Sequence, residues 1–304
     1  MIELAGGLGA AARIGHGGDV LNVAIALSRL GYPPAFLTAL GRDPWSEELA
    51  GLWHGEGLDT SLIARHPDRV PGLYGITLDA AGERSFTYWR DRSAARDLFA
   101  LPEADALMAH AAAADLLFLS GITLSLFDDA GRERLGEAAA AVRARGGIVA
   151  FDGNYRPRGW PDAATARAAY ARFAPHVTLA LPTAEDEAAM HGAPLTPDAI
   201  AQRWHDSGAE DVVVKLGAAG ACVSTTGGVT LVATDVIAPV DTSGAGDAFD
   251  AGYLAGRLAG LSAIDAVRLG HRVAGRTIAH RGAIPPRDAI SDLAPVRQDR
   301  GEDA

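Results

Sequence analysis

A chain of 304 residues, 48% hydrophobic and 21% charged, carries enough apolar surface for one large α/β domain or two ordinary ones. Its formal net charge of −11 and the lack of any basic run disfavour nucleic acid or an anionic membrane as partner, while leaving room for an anionic small molecule held by a local arginine pair. No apolar run is long enough to span a bilayer and Met1 to Gly18 lack the regions of a signal peptide, so a cytoplasmic location is expected; the single cysteine, Cys222, excludes an intrachain disulfide.

Residues 1–18, rich in glycine and alanine, predict no firm element. Asp19 to Leu30 reads as a helix with Asp19 at its N-cap, apolar residues at Val20, Val23, Ile25, Leu27 and Leu30, and a stop at Gly31-Tyr32-Pro33. A short strand, Ala35 to Leu40, follows. Asp43-Pro44 then opens a helix in cap and first-turn order, ending near Gly55. Helix, strand, helix is the repeat of a parallel sheet.

The pattern changes between Gly72 and Arg90. Tyr74, Ile76 and Leu78 alternate with Gly75 and Thr77; Ala81-Gly82 turns the chain; Phe86, Tyr88 and Arg90 alternate with Ser85, Thr87 and Trp89. Alternation on both sides of a glycine turn predicts an antiparallel hairpin. Within an α/β chain it reads as a small flap whose aromatic face packs on the main domain or closes over a substrate.

From Pro102 helix and strand alternate again. Asp115 to Leu119 is a strand ending in Ser120-Gly121, Asp128 to Arg145 a helix, and Gly147 to Phe151 a strand ending at Asp152. Ligands of doubly wound sheets bind beyond the carboxyl ends of strands, which makes Asp152, Asn154 and Arg156 candidates. Val177 to Leu181 is a further strand. The acidic run in Thr183-Ala184-Glu185-Asp186-Glu187 is expected to serve helix capping before any magnesium role. Asp211 to Val214 leads to Lys215 and a glycine turn through Gly217 and Gly220, followed by strands at Ala221 to Ser224 and Val229 to Val232. Lys215 is the only lysine, in a chain whose other basic residues are arginines. A last helix is expected from Ser262 to His280, and the tail after Pro295 is polar and acidic.

The stretch of greatest chemical interest is Asp241-Thr242-Ser243-Gly244-Ala245-Gly246-Asp247, running into the apolar-periodic segment Ala248 to Leu258. A glycine turn opening a helix offers backbone N–H groups and the positive end of the helix dipole to an anion. The dipole is also expected to favour the ionised form of Asp247 in the first turn. An anion cradle beside a carboxylate suits phosphoryl transfer, which needs positioning, charge stabilisation and a proton acceptor.

Three motifs in this order, Gly17-Gly18-x-x-x-Asn22, Lys215-x-Gly217-x-x-Gly220 and the stretch 241–247, resemble those of the ribokinase-like (PfkB) sugar kinases. GHGGDVLN at 15–22, PGLYGITLDAAGERSFTYWR at 71–90, FLSGIT at 118–123 and FDGNYRPRGW at 151–160 are most similar to the members that phosphorylate 2-keto-3-deoxygluconate. The resemblance implies a single ribokinase-like α/β domain over 1–304, its mostly parallel sheet flanked by helices. It also implies a β lid formed mainly by 71–92, to which part of 1–18 could add. The implied chemistry is ATP- and magnesium-dependent phosphorylation of the terminal hydroxyl of the sugar acid. By the same resemblance Asp247 is the catalytic base, and Gly244, Ala245 and Gly246 form the anion hole. Gly18, Asn22, Tyr74, Tyr88, Arg90 and Arg156 hold the sugar acid, while Asn154, Lys215, Gly217 and Gly220 border the nucleotide. The lid hairpin offers a surface for homo-oligomers.

Two departures are visible. Family members place a β-strand before the segment corresponding to Met1-Ile2-Glu3-Leu4, so the first strand of the sheet is expected to be absent. Thr183-Ala184-Glu185-Asp186 stands where many members carry Asn-x-x-Glu, which leaves the magnesium ligands unassigned. Other readings of the same motifs are a kinase of fructose or ribose, which would not need Arg90 and Arg156, and a sugar-acid sensor without catalysis.

Overall fold

A computed structural model describes residues 1–6, 12–78, 84–225 and 228–296 of the chain. The expected turn at Ala81 and Gly82 and most of the acidic tail lie outside these residues. In chain order the elements are β1 (Ile2–Ala5), β2 (Arg13–His16), α1 (Asp19–Arg29), β3 (Thr38–Leu40), α2 (Pro44–Gly55), β4 (Ile63–Arg65), β5 (Leu73–Leu78) and β6 (Arg84–Trp89). The middle of the chain gives α3 (Ala104–Ala112), β7 (Leu116–Ser120), α4 (Gly121–Ser125), α5 (Asp129–Ala144), β8 (Ile148–Asp152), α6 (Ala163–Phe173), β9 (Leu179–Ala180), α7 (Ala184–His191) and α8 (Pro197–Asp206). It closes with β10 (Asp211–Lys215), β11 (Ala221–Thr225), β12 (Gly228–Val232), α9 (Ala245–Leu258), α10 (Ala263–Ile278) and α11 (Asp288–Ser291).

The main sheet runs β12-β11-β10-β9-β8-β7, parallel from β7 to β10 and antiparallel at β11 and β12. While β12 at the antiparallel edge is largely exposed, the central strands β8 to β10 are buried on both faces, as a parallel sheet requires. Successive residues of β8 show why: Val149 and Phe151 pack with α5 and α6, while Ala150 between them packs with α1 and α9. The helices over the second face approach closely because they lack side chains at the crossing. A Cβ on Gly252 of α9 would lie 2.8 Å from Gly270 Cα of α10.

Two further sheets stand beside the main one. β3 and β4 pair with each other only. An apolar cavity of about 210 Å3, lined by Leu37, Ala39, Leu117 and Leu119 among others, separates β3 from the unpaired edge of β7. The other sheet, β2-β1-β5-β6, contains the expected hairpin, with Tyr74 opposite Tyr88 and Ile76 opposite Phe86. It also contains β1 and β2, where residues 1–18 predict no element: β1 gains its definition from tertiary pairing with β5 and β2 from pairing with β1, not from their own alternation.

Most helix starts follow local chemistry. Asp43 accepts from Ser46 N with Pro44 in the first turn, Asp128 from Gly131 N, and Ser262 from Asp265 N. Asp19 does not. Gly18, at φ 144°, is the N-cap of α1 and makes no side-chain cap, so Asp19 becomes the first helical residue and its carboxylate is available elsewhere.

Candidate active site

A cavity of about 300 Å3 lies where the carboxyl ends of β8 and β10, the starts of α1 and α9, and the inner face of the four-stranded sheet converge. It brings together Gly18, Asn22, Tyr74, Tyr88, Arg90, Asn154, Arg156, Lys215, Gly244, Ala245, Gly246 and Asp247. Gly217 and Gly220 do not line it. They shape the turn after β10, where Gly220 (φ 103°) passes so close to the next strand that a Cβ would meet Val232 O at 2.2 Å.

The floor of the cavity is the start of α9. Gly244 caps the helix in the left-handed region (φ 70°) without a side-chain cap bond, and a Cβ there would strike Ala283. The first-turn amides of Gly246 and Asp247 therefore have no side chain competing for them, which is the arrangement that holds an anion. Asp241 braces the preceding turn by accepting from Ser243 N and Gly282 N, each at 2.8 Å.

Asp247 accepts from Asn22 Nδ2 at 2.7 Å. Its pKa is raised from the ordinary 3.8 to about 7, first by burial and then by the charge of Asp19, with Asp152 adding and the Asn22 bond and Lys215 opposing. The dipole effect expected from the sequence is thus outweighed, because a helix terminus contributes less than desolvation does. A carboxylate poised near neutrality suits a proton acceptor.

Lys215 sits beneath this helix start. Its Nζ donates to Asp152 Oδ1 at 3.0 Å and to both carboxylate oxygens of Asp250 at 2.9 Å, all within a buried cluster. Burial alone would lower its pKa, but the two carboxylates outweigh that and keep the ammonium charged. The lone lysine fastens the ends of β8 and β10 to α9. A Cβ on Gly246 would lie 3.8 Å from its Nζ.

The two arginines differ. Arg90 stacks over the Tyr88 ring at 4.5 Å and makes no ion pair among the described residues. Arg156 donates to Asp186 Oδ1 at 2.8 Å and to Tyr155 O. Glu185, Asp186 and Glu187 stand in the first turn of α7 as expected, but Thr183 makes no side-chain cap bond, and Asp186 also lines the cavity. Asp19 was also hidden by a capping expectation. It accepts from Ser120 Oγ and from Asn154 Nδ2, joining α1 to the end of β7 and to the loop after β8. Asn154 reaches it from a left-handed backbone, φ 36°, the one positive φ outside glycine among the described residues. Glu3 also faces the cavity from β1, a placement that no local signal in residues 1–18 gives.

The family described as pfkB family carbohydrate kinase matches residues 6–290. A 2-dehydro-3-deoxygluconokinase of Dickeya dadantii is 43% identical over 298 residues, covering 95% of this chain and 96% of the relative. Among solved structures, a PfkB protein from Polaromonas sp. JS666 superposes with a TM-score of 0.83 at 27% identity, covering 95% of this chain and 96% of that one. A fructokinase from Vibrio cholerae O395, solved with fructose, ADP and calcium, gives 0.79 at 25% identity, covering 97% and 96%.

Proposed function

This chain belongs to the pfkB family of carbohydrate kinases, and from that premise we propose that it transfers the terminal phosphoryl group of ATP to the 6-hydroxyl of 2-keto-3-deoxygluconate, the same compound as 2-dehydro-3-deoxygluconate. The observation that carries the substrate class is Arg90, an arginine without an ion-pair partner among the described residues, in the same cavity as Asp247. A guanidinium binds a carboxylate through charge-assisted bonds that a neutral sugar cannot accept as strongly. Arg156 is the second candidate, exchanging its contact with Asp186 for the ligand.

In this reading the sugar acid lies with its carboxylate toward the arginines and its terminal hydroxyl at Asp247. Asn22 holds Asp247 in place, Asp247 takes the hydroxyl proton, and the first-turn amides of α9 stabilise the charge on the phosphoryl group in transfer. The four-stranded sheet acts as a lid, excluding water from the donor phosphates. Self-association through that sheet belongs to the same reading, since Ile14 and Trp89 on it are 54% and 60% exposed.

No group of three or more acidic or histidine side chains among the described residues could hold a metal alone. This fits magnesium that arrives on nucleotide phosphates, which needs only one or two protein groups. Asp186 and the unpartnered buried Oδ1 of Asn154, whose polarity suits a metal-bound water, would hold it there; the ion would neutralise phosphate charge.

The test is ADP release from ATP and magnesium with 2-keto-3-deoxygluconate, fructose and ribose. Turnover of the sugar acid alone, lost in Asp247→Asn, is the expected result. Preference for a neutral sugar would overturn the assignment of Arg90.

A further inference from the structure

The inner face of the lid sheet carries one row of paired residues across its four strands: Gly15 on β2, Glu3 on β1, Tyr74 on β5 and Tyr88 on β6. Glu3 and Tyr74 are each only 8% exposed, and both line the cavity. A buried carboxylate is unfavourable without a donor. The Tyr74 hydroxyl supplies one, donating to Glu3 Oε2 at 2.6 Å. No other donor among the described residues reaches Glu3.

A phenol has one proton. With that proton directed to Glu3, the Tyr74 oxygen can offer the cavity only its lone pairs. Its position is fixed by the Gly17-Gly18 turn: a Cβ on Gly17 would fall 2.5 Å from the Tyr74 oxygen and 3.7 Å from Asn22 Oδ1. Asn22 is the residue that donates to Asp247, and its Oδ1 is buried without a partner. Two acceptors thus stand side by side next to the proton acceptor, on the side of the cavity where Glu3 adds negative charge. Such a wall repels a carboxylate and receives hydroxyl protons.

We infer that Glu3 is a positioning residue that fixes Tyr74 as a hydrogen-bond acceptor, so that Tyr74 reads a hydroxyl of the sugar rather than its carboxylate. The inference rests on the proposed function for the identity of the sugar. Burial together with Glu3 also holds the Tyr74 phenol well above its ordinary pKa, so the proton remains in place throughout the working range of pH. The role needs an acceptor oxygen at position 3 and not a charge as such, which separates two substitutions. Glu3→Gln keeps a carbonyl oxygen for the phenol; Glu3→Leu removes it and lets the hydroxyl proton turn into the cavity.

The test is steady-state kinetics on wild type, Glu3→Gln, Glu3→Leu, Tyr74→Phe and the pair Glu3→Leu with Tyr74→Phe. Glu3→Leu and Tyr74→Phe should each raise the sugar-acid KM about tenfold, the effect of one lost hydrogen bond, with the ATP KM unchanged. Glu3→Gln should stay within about threefold of wild type, and the pair should be no worse than either single change, because Glu3 acts through Tyr74. The pair also replaces both buried partners with apolar groups, so it tests the inference without leaving an orphaned carboxylate. An unchanged sugar KM in Glu3→Leu, or equal rises in the KM of sugar and ATP, would overturn it. If wild type turns over fructose or ribose instead, the proposed substrate is wrong, and the same KM comparison with that sugar decides the role of Glu3. If no sugar is turned over, sugar-acid affinity of the five proteins by calorimetry decides it by the same ratios.

Discussion

Replacing Asp247 by asparagine should abolish turnover and, at the same pH, make the folded protein harder to unfold. The folded pKa of about 7 lies above the ordinary 3.8 because burial and Asp19 disfavour the charge. The native state therefore holds this proton more tightly than the unfolded chain does. Stability of the wild type falls as pH rises from about 4 to about 7, and remains at the lower value above that. The full shift of about 3 units corresponds to about 4 kcal/mol. Asp247 is only half-buried by surface exposure, since it faces the cavity, and solvent screening reduces the expectation to about 1–2 kcal/mol. Asparagine carries no charge and escapes this penalty. The difference in Tm between Asp247→Asn and wild type should accordingly be near zero at pH 4 and widen up to pH 7. In the wild type, kcat/KM should fall tenfold per unit of pH below about 7, and the variant should lose about 10²–10⁴ in kcat. Thermal unfolding across pH and a pH–rate profile measure both. An acid limb at the ordinary carboxylate position, or a Tm difference that does not change with pH, would refute the reasoning.

Three further perturbations follow from the geometry. Arg90→Ala should raise the sugar-acid KM ten- to hundredfold, as expected for a lost charge-assisted bond, and leave the ATP KM nearly unchanged; equal effects on both would remove the carboxylate from Arg90. Lys215→Met leaves Asp152 and Asp250 buried without a counter-charge and should cost about 3–5 kcal/mol of stability, with part regained when Asp250→Asn is added, as urea unfolding would show. Gly220→Ala must hold φ 103° and clear Val232 O, so a strain of about 1–3 kcal/mol should appear as a lower Tm, whereas an unchanged Tm would mean that the turn relaxes freely.

What the sequence makes legible here is whatever its local chemistry determines. The 241–247 turn, the 72–90 hairpin and the Asp43-Pro44 helix start announce themselves because their residues have few other uses, and the structure has each in its expected element. Acidic residues at helix starts are harder, since the same side chain serves as a cap or as part of a site. Asp19 and Asp186 both read as capping residues, yet both turn to partners across the cavity, Ser120 and Arg156. Glu3 is harder still. Its strand pairs with the short β2 on one side and with β5, a segment some seventy residues away, on the other, and its contact to Tyr74 comes from that distant segment, so no short window around position 3 contains the information. Asp250 looks like one more residue on an apolar-periodic helix. Only the fold brings it to Lys215.

The charges that line the cavity are sorted in a way that bears on the donor as well as the acceptor. Glu3, Asp19, Asp152, Asp186 and Asp247 all face it, against Lys215, Arg90 and Arg156. Lys215 is already held by Asp152 and Asp250, and Arg156 by Asp186. Among the described residues Arg90 alone of these cations is without a carboxylate partner, and it sits on the lid. A triphosphate placed at the start of α9 therefore meets backbone amides and surplus negative charge, with no uncommitted cation beside it. Such a site favours a donor that brings its own counter-ion, and a divalent metal on the phosphates supplies it. On the proposed reading the same sorting sets the direction of the acceptor: its anionic end goes toward Arg90, with Arg156 as the second candidate, which leaves the opposite hydroxyl for Asp247. On this proposal the placement of the Arg90 guanidinium does more to define the orientation of the substrate than the larger number of carboxylates around it.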